Sequence, residues 1–361
     1  MSANISLHDG PERLKIAVVG LGRMGKRHVH TLINRVARAQ VVAVCSTEAH
    51  EIEWAKSNED YKDFGISVYD DYIVMLNHPG LQAVWISTST DVHASQTLAA
   101  VEKGLHVLCE KPLSTDLTEA QSVVDAAKKR PDLKVMAGFS RRFDKSYRNA
   151  AAKVLDEGAI GEPFLVRSNT CDLKDETGFF VRYASRNGGI FVDCAIHDID
   201  LALWYLGNPI PQACWATGTL KHHPELKQYN DVDNAVGVVE FRGGKIAYFY
   251  CSRTQAHGHD VCTEITGTDG KIMVNVVPRQ DNIVVADKQG MRHEVQPEYW
   301  QRFEDAFALE ANEFVEAVLK DKPVPLPLES GLRVMEIGRA LQQALISGQV
   351  SRFDAEGKLI E

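Results

Sequence analysis

The chain has 361 residues, with 40 Lys and Arg against 49 Asp and Glu, for a formal net charge of −9. That length suits two ordinary domains, and a hydrophobic content of 44% argues against disorder. The mild acidity disfavours nucleic-acid or membrane partners, which need clustered Lys and Arg, and no run approaches the roughly 18 apolar residues of a membrane span.

The opening stretch is polar and carries Asp9, so residues 1–13 read as a short flexible lead rather than a signal peptide. From Leu14 to about Gly138, short β-branched runs alternate with helix-length segments. Lys15–Val19, Val41–Val44, Ala83–Ile86, His106–Leu108 and Lys134–Met136 read as buried strands, with Met24–Val36, Asp91–Lys103 and Leu117–Lys129 as helices between them. Continuous apolar strands alternating with helices predict a doubly wound parallel sheet, a Rossmann-type α/β domain over residues 14–140.

The first strand runs directly into Gly20-Leu-Gly22-Arg23-Met24-Gly25, and a helix follows. In a dinucleotide turn the first glycine permits the bend, the second lets the backbone approach a pyrophosphate, and the third lets helix and strand pack closely. An NAD site commonly offers an acidic residue about 20 residues further on, for the ribose diol. Here the second strand ends in Cys45-Ser46-Thr47-Glu48. Small hydroxyls stand where a carboxylate would repel a 2′-phosphate, and Arg23 offers charge, so NADP(H) is the expected cofactor. NAD(H) stays open, because a small misregister would make Glu48 the diol acceptor.

The fifth strand ends in Cys109-Glu110-Lys111-Pro112. Ligands of open parallel sheets bind beyond the carboxyl ends of the strands, which places Lys111 toward the crevice. After Gly138 the texture changes. A helix over Lys145–Leu155 leads into strands at Phe164–Asn169, Ala235–Phe241, Ile246–Cys251, Val261–Thr266 and Ile272–Val276, with turn signals at 243–244 and 268–270. These predict a second, α+β domain over 141–361 with a large, mostly antiparallel open sheet, and the aromatics Tyr248, Phe249 and Tyr250 suggest a sheet packed on both faces. Arg302–Leu319 and Leu328–Leu345 read as closing helices, one of which could return to the first domain.

Within Gly188-Gly-Ile-Phe-Val-Asp193-Cys-Ala-Ile-His197-Asp-Ile-Asp200, a helix is expected from Asp193 onward. Asp193, His197 and Asp200 would then share one face at i, i+4 and i+7. A histidine flanked by carboxylates suits a general base, because the carboxylate stabilises the imidazolium formed on proton uptake. Seven scattered cysteines fit reduced thiols and hence a cytoplasmic protein. Cys251, His257, His259 and Cys262 match no standard metal spacing, so no metal is expected.

Together with Ser87-Thr88 and His93 after the fourth strand, these three motifs resemble the Gfo/Idh/MocA oxidoreductase family, which includes glucose–fructose oxidoreductase and inositol 2-dehydrogenase. The resemblance implies a Lys111, Asp193 and His197 catalytic set acting on a cyclic sugar or polyol. His197 would take the hydroxyl proton, Lys111 would hold the same oxygen and Asp193 would orient the imidazole. It implies substrate or cofactor contacts for Asp200 and Arg142, and places Thr88, His93 and Glu110 along the nicotinamide half. It also implies a homodimer or homotetramer through the second-domain sheet. The expectation is an NADP(H)-dependent sugar or polyol oxidoreductase, with a glucose–fructose type in which nucleotide stays bound as one option. The alternatives are an NAD-dependent inositol-type dehydrogenase and, in another class, a non-catalytic redox sensor.

Overall fold

The computed structural model describes residues 12–360, so nearly all of the expected lead at 1–13 lies outside the described residues. The chain divides into two units. The first takes the residues up to Ser114, Thr118–Gly138 and Phe307–Leu328, and the second takes Thr115–Leu117, Phe139–Ala306 and the chain from Glu329 onward.

In the first unit, β1 (Leu14–Val19), β2 (Ala39–Cys45), β3 (Ser67–Tyr69), β4 (Ala83–Ile86), β5 (His106–Glu110) and β6 (Val135–Gly138) form one parallel sheet. Its order is β3-β2-β1-β4-β5-β6, so the winding reverses between β1 and β4. Parallel neighbours need long crossovers, which helices such as Arg23–Arg35, Ala49–Ser57 and Thr90–Glu102 supply. Ile16, Val18, Val44, Trp85 and Leu108 are buried because helices cover both faces. The sequence reading found five of these strands. It missed β3, whose three half-buried residues carry no periodic signal.

Phe307–Leu328 lies within the stretch assigned by sequence to the second domain but belongs to the first unit, the return of a closing helix that the sequence left open. Phe314 meets the Trp85 ring edge-on at 6.2 Å, Phe307 meets His28 at 5.7 Å, and Glu316 pairs with Arg38 at 3.0 Å.

The second unit is built on β7 (Pro163–Leu173), β8 (Pro211–Thr219), β9 (Asn234–Phe241), β10 (Lys245–Gln255), β11 (Asp260–Gly267) and β12 (Lys271–Val274). A separate hairpin, β13 (Val285–Asp287) with β14 (Gly290–Arg292), and the short β15 (Ser351–Phe353) and β16 (Leu359–Ile360) follow. The eight-stranded order is β12-β11-β7-β10-β9-β8-β15-β16, antiparallel except for the parallel β7–β10 pair. The sheet therefore matches the expected class, with β7, β9, β10 and β11 longer than anticipated, β12 shorter and β8 unforeseen.

One face of this sheet is core, with Val166, Val239, Ala247 and Phe249 buried. The other is left open among the described residues. Trp215 is 43% exposed and Ile246 40%, while Val238, Tyr248 and Tyr250 on the same face are half-buried. Packing on both faces, as read from the aromatic run, holds for only one.

Two helices differ from expectation. Lys145–Ala151 passes into a π-helical turn over Ala152–Asp156. The helix expected from Asp193 is broken, with a short helix Ile190–Asp193 ending at Asp193 and a second, Ile196–Tyr205, carrying His197. No helix among the described residues is long and apolar enough to cross a membrane.

Candidate active site

In the first unit the glycine turn joins β1 to the helix Arg23–Arg35. Gly20 has φ 86°, and a Cβ there would lie 2.6 Å from the Ser87 carbonyl oxygen. A Cβ on Gly25 would fall 1.6 Å from the Gly20 carbonyl oxygen, so helix and turn touch backbone to backbone. At Gly22 a Cβ would meet only Glu51 Oε1 within 4 Å, at 3.6 Å. Gly22 caps the helix without a side-chain hydrogen bond, and the first turn holds no acidic residue. A helix start of this kind presents backbone N–H groups and positive dipole to an anion, so these residues fit a dinucleotide pyrophosphate. Arg23 is exposed on that first turn and Met24 is half-buried. Ser87 fastens the turn from β4, its hydroxyl donating to the carbonyls of Val19 (3.0 Å) and Gly20 (3.1 Å).

At the end of β2 the structure adds a residue that the sequence reading passed over. Ser46 is buried and donates its hydroxyl to Glu51 Oε2 at 2.6 Å, while accepting the Glu48 backbone N–H at 3.1 Å. Thr47 and Glu48 are exposed. A carboxylate does stand beside the glycine turn, then, but it comes from the next helix. The signal that could have found it is an acidic residue in the first turn of the second crossover helix.

Lys111 follows β5 and is half-buried, with a cis bond to Pro112. Beneath it, Glu110 accepts from the Lys111 backbone N–H at 3.2 Å and pairs with His28 Nε2 at 2.7 Å. Burial is the largest single influence and opposes the Glu110 charge, but the His28 hydrogen bond and the positive charges of His28, Lys111 and His93 together hold the carboxyl below its usual range. Glu310, fully buried, is pushed well above that range, first by burial and then by the nearby Glu110 charge.

His93 is buried with Nδ1 at 2.7 Å from the Pro112 carbonyl and Nε2 at 3.1 Å from that of Thr88. Two carbonyl acceptors require two N–H donors. Burial opposes the charge, but the adjacent Cys109 sulfur and these carbonyls raise the pKa to about 9. His93 thus ties the backbone at Pro112 to that at Thr88 through both ring nitrogens. The Thr88 hydroxyl donates to Gln96 Oε1 at 2.7 Å.

In the second unit, Gly188 and Gly189 have φ 78° and 94°, and a Cβ on Gly189 would strike the Gln342 amide at 2.2 Å. This turn starts the helix Ile190–Asp193, whose first N–H, from Ile190, is accepted by Asp231 Oδ1 at 2.9 Å. Asp193 at its end lies 3.2 Å from Arg253 Nη2, and Arg253 Nη1 donates to Asp231 Oδ2 at 2.9 Å. Arg253 is fully buried, an arginine inside a sheet strand, which is tolerable only with both carboxylates in place. Sequence reading missed Arg253 and Asp231, although a charge directly after the run Tyr248–Ser252, within the same strand, was the available clue.

His197 is half-buried, its ring edge-on to Phe139 at 6.3 Å. Asp200 is buried and held by Arg142 through two hydrogen bonds of 2.8 and 2.7 Å, and the guanidinium lies 5.1 Å from the Trp204 ring. The expected stripe of Asp193, His197 and Asp200 is therefore interrupted: the helix breaks between the first two, and Asp200 is already matched with Arg142. Asp198, which sequence reading did not single out, is fully buried and satisfied by Arg141 (2.8 Å), Ser168 (2.6 Å) and Thr170 (2.6 Å). No group of three or more His, Cys, Asp or Glu among the described residues is arranged to hold a metal ion.

Residues 14–139 match the family model described as "Oxidoreductase family, NAD-binding Rossmann fold", and residues 149–273 match the "GFO/IDH/MocA C-terminal domain". The chain is 30% identical over 346 residues to a scyllo-inositol 2-dehydrogenase (NAD(+)) of Bacillus subtilis, covering 95% of this chain and 97% of that protein. It is 29% identical to a myo-inositol 2-dehydrogenase of Thermotoga maritima, covering 92% and 96%. Among solved structures it resembles the scyllo-inositol dehydrogenase of Lactobacillus casei with bound NAD(H) and scyllo-inositol. The TM-score is 0.88 at 31% identity, over 94% of this chain and 99% of that one.

Proposed function

The chain belongs to the Gfo/Idh/MocA family of oxidoreductases, and from that membership we propose that it is an NAD(H)-dependent dehydrogenase of an inositol or closely related cyclic polyol. The observation that carries the reading is the near end-to-end likeness to relatives named as inositol dehydrogenases, one of them as NAD(+)-dependent. Bound nicotinamide supplies the hydride acceptor. By family membership, His197 is assigned as the base for the substrate hydroxyl, and Lys111 as a hydrogen-bond donor to substrate. Asp193, anchored by Arg253, stabilises the imidazolium so formed. Asp200 and Arg142, rigid through their double hydrogen bond, present a fixed polar edge to the ring hydroxyls.

Neither an NADP(H) preference nor the glucose–fructose type is carried forward. The first rested on Ser46 as a carboxylate-free position, whereas its hydroxyl is bonded to the Glu51 carboxylate. For the assembly we propose a homo-oligomer joined through the open face bearing Trp215, Tyr248 and Tyr250, since a sheet face of this apolar character gains most by association. A cytoplasmic setting is supported by seven buried free thiols.

The test is turnover of myo- and scyllo-inositol, glucose and fructose with NAD+ and NADP+, followed at 340 nm. Inositol with NAD+ is expected to give the highest kcat/KM, with Lys111→Ala and His197→Ala each losing at least ~10²-fold in kcat. Faster turnover of glucose, or with NADP+, would overturn the reading.

A further inference from the structure

We infer that Glu51 reads the adenosine ribose of the dinucleotide and selects NAD(H) over NADP(H). This inference rests on the first unit being an NAD(H) site. The pyrophosphate of a dinucleotide crosses a glycine turn at its second glycine, and the ribose lies toward the end of the second strand. In this chain that strand ends at Cys45 and Ser46 follows, without a carboxylate.

The missing charge is supplied from the helix Ala49–Ser57. Glu51 Oε2 is fixed by the buried Ser46 hydroxyl at 2.6 Å, and that hydroxyl is oriented in turn by the Glu48 N–H at 3.1 Å. Glu51 Oε1 lies 3.6 Å from where a Cβ on Gly22 would stand, so it edges the very gap that the second glycine leaves open. A carboxylate accepts about four hydrogen bonds. With Oε2 engaged by Ser46, Oε1 faces the turn and suits the two donors of a ribose diol. A 2′-phosphate at the same place would set two anions against each other. Of the cations on the neighbouring helix, Lys26 is drawn over the Trp54 ring at 4.1 Å, and Arg23 is exposed on the first turn.

Glu48, the acidic residue nearest the strand in sequence, is the competing reader. It is exposed, and what it contributes here is a backbone N–H.

Binding of NADH and NADPH to the full-length protein, measured by fluorescence titration without substrate, tests the assignment. Wild type should bind NADH more tightly. Glu51→Gln keeps the shape and an acceptor for Ser46 but removes the charge, and should weaken NADH about 10-fold while closing most of the gap to NADPH. Glu48→Gln should leave both affinities unchanged. Should Glu51→Gln prove unfolded by its thermal melt, Ser46→Ala, which frees the carboxylate from its anchor, should reduce the NADH preference by about 3-fold. A wild type preferring NADPH would defeat the cofactor reading itself. A wild type preferring NADH whose preference survives Glu51→Gln or, failing that, Ser46→Ala, would overturn the role of Glu51 alone.

Discussion

Replacing Arg253 with Met tests whether a buried arginine fixes the position of Asp193. The side chain is wholly inside the protein, 2.9 Å from Asp231 and 3.2 Å from Asp193. Methionine fills much of the space and removes the charge, leaving the Asp231 carboxylate buried with the Ile190 N–H as a remaining donor. Breaking one side of a buried ion pair costs about 3–5 kcal/mol, because the other charge stays desolvated. For a unit of this size that corresponds to a fall in Tm of about 6–20 °C. The second consequence is positional. Without the guanidinium, the Asp193 carboxylate loses a charge-assisted hydrogen bond worth about 1.5–3 kcal/mol, and kcat should fall by about 10-fold or more. Arg253→Lys should restore part of the stability and part of the rate. In Arg253→Met with Asp231→Asn, stability should partly recover while kcat stays low, since Asp193 still lacks its partner. Differential scanning calorimetry and steady-state kinetics give the two readouts. An Arg253→Met protein that melts within about 1 °C of the parent, with unchanged kcat, would refute the argument.

Glu310 holds its proton above the usual carboxyl range because it is buried beside Glu110. Its folded pKa exceeds its unfolded one, so its contribution to stability is present at low pH and lost as pH rises through the folded value. Glu310→Gln should raise Tm at pH 8 more than at pH 5, and an equal or reversed effect would contradict the assignment. Gly25→Ala places a Cβ 1.6 Å from the Gly20 carbonyl oxygen, so it should abolish nucleotide binding in a fluorescence titration while the second unit retains its melting transition. If the open sheet face joins copies of the chain, Tyr248→Asp with Trp215→Lys should convert an oligomer to monomer by light scattering. An unchanged mass would exclude that face.

The first unit was legible because its signals are local. A glycine turn needs its three glycines within six residues, and a parallel strand with both faces covered shows as an uninterrupted apolar run, as Ala83–Ile86 does. What failed was whatever depends on pairing at a distance. Ser46 read alone is a hydroxyl in place of an acid; only the fold reveals that it is the donor holding Glu51. The stripe Asp193, His197 and Asp200 satisfied helical spacing, but spacing cannot report that Gly188 and Gly189 start a one-turn helix that ends at Asp193. Nor can it report that Asp200 is matched by Arg142, 58 residues earlier in the chain. The most informative omission is Arg253. A fully buried charge in a strand is costly, so the presence of Arg253 in β10 already required acidic partners somewhere in the fold. Asp231 and Asp193 meet that requirement, and because Asp231 also accepts the Ile190 N–H, one carboxylate fixes both the start of the Asp193 helix and the cation at its end. Lone buried charges in otherwise apolar strands are therefore a sequence-level guide to the side chains that position a reactive group, even where the reactive group itself is recognised by other means.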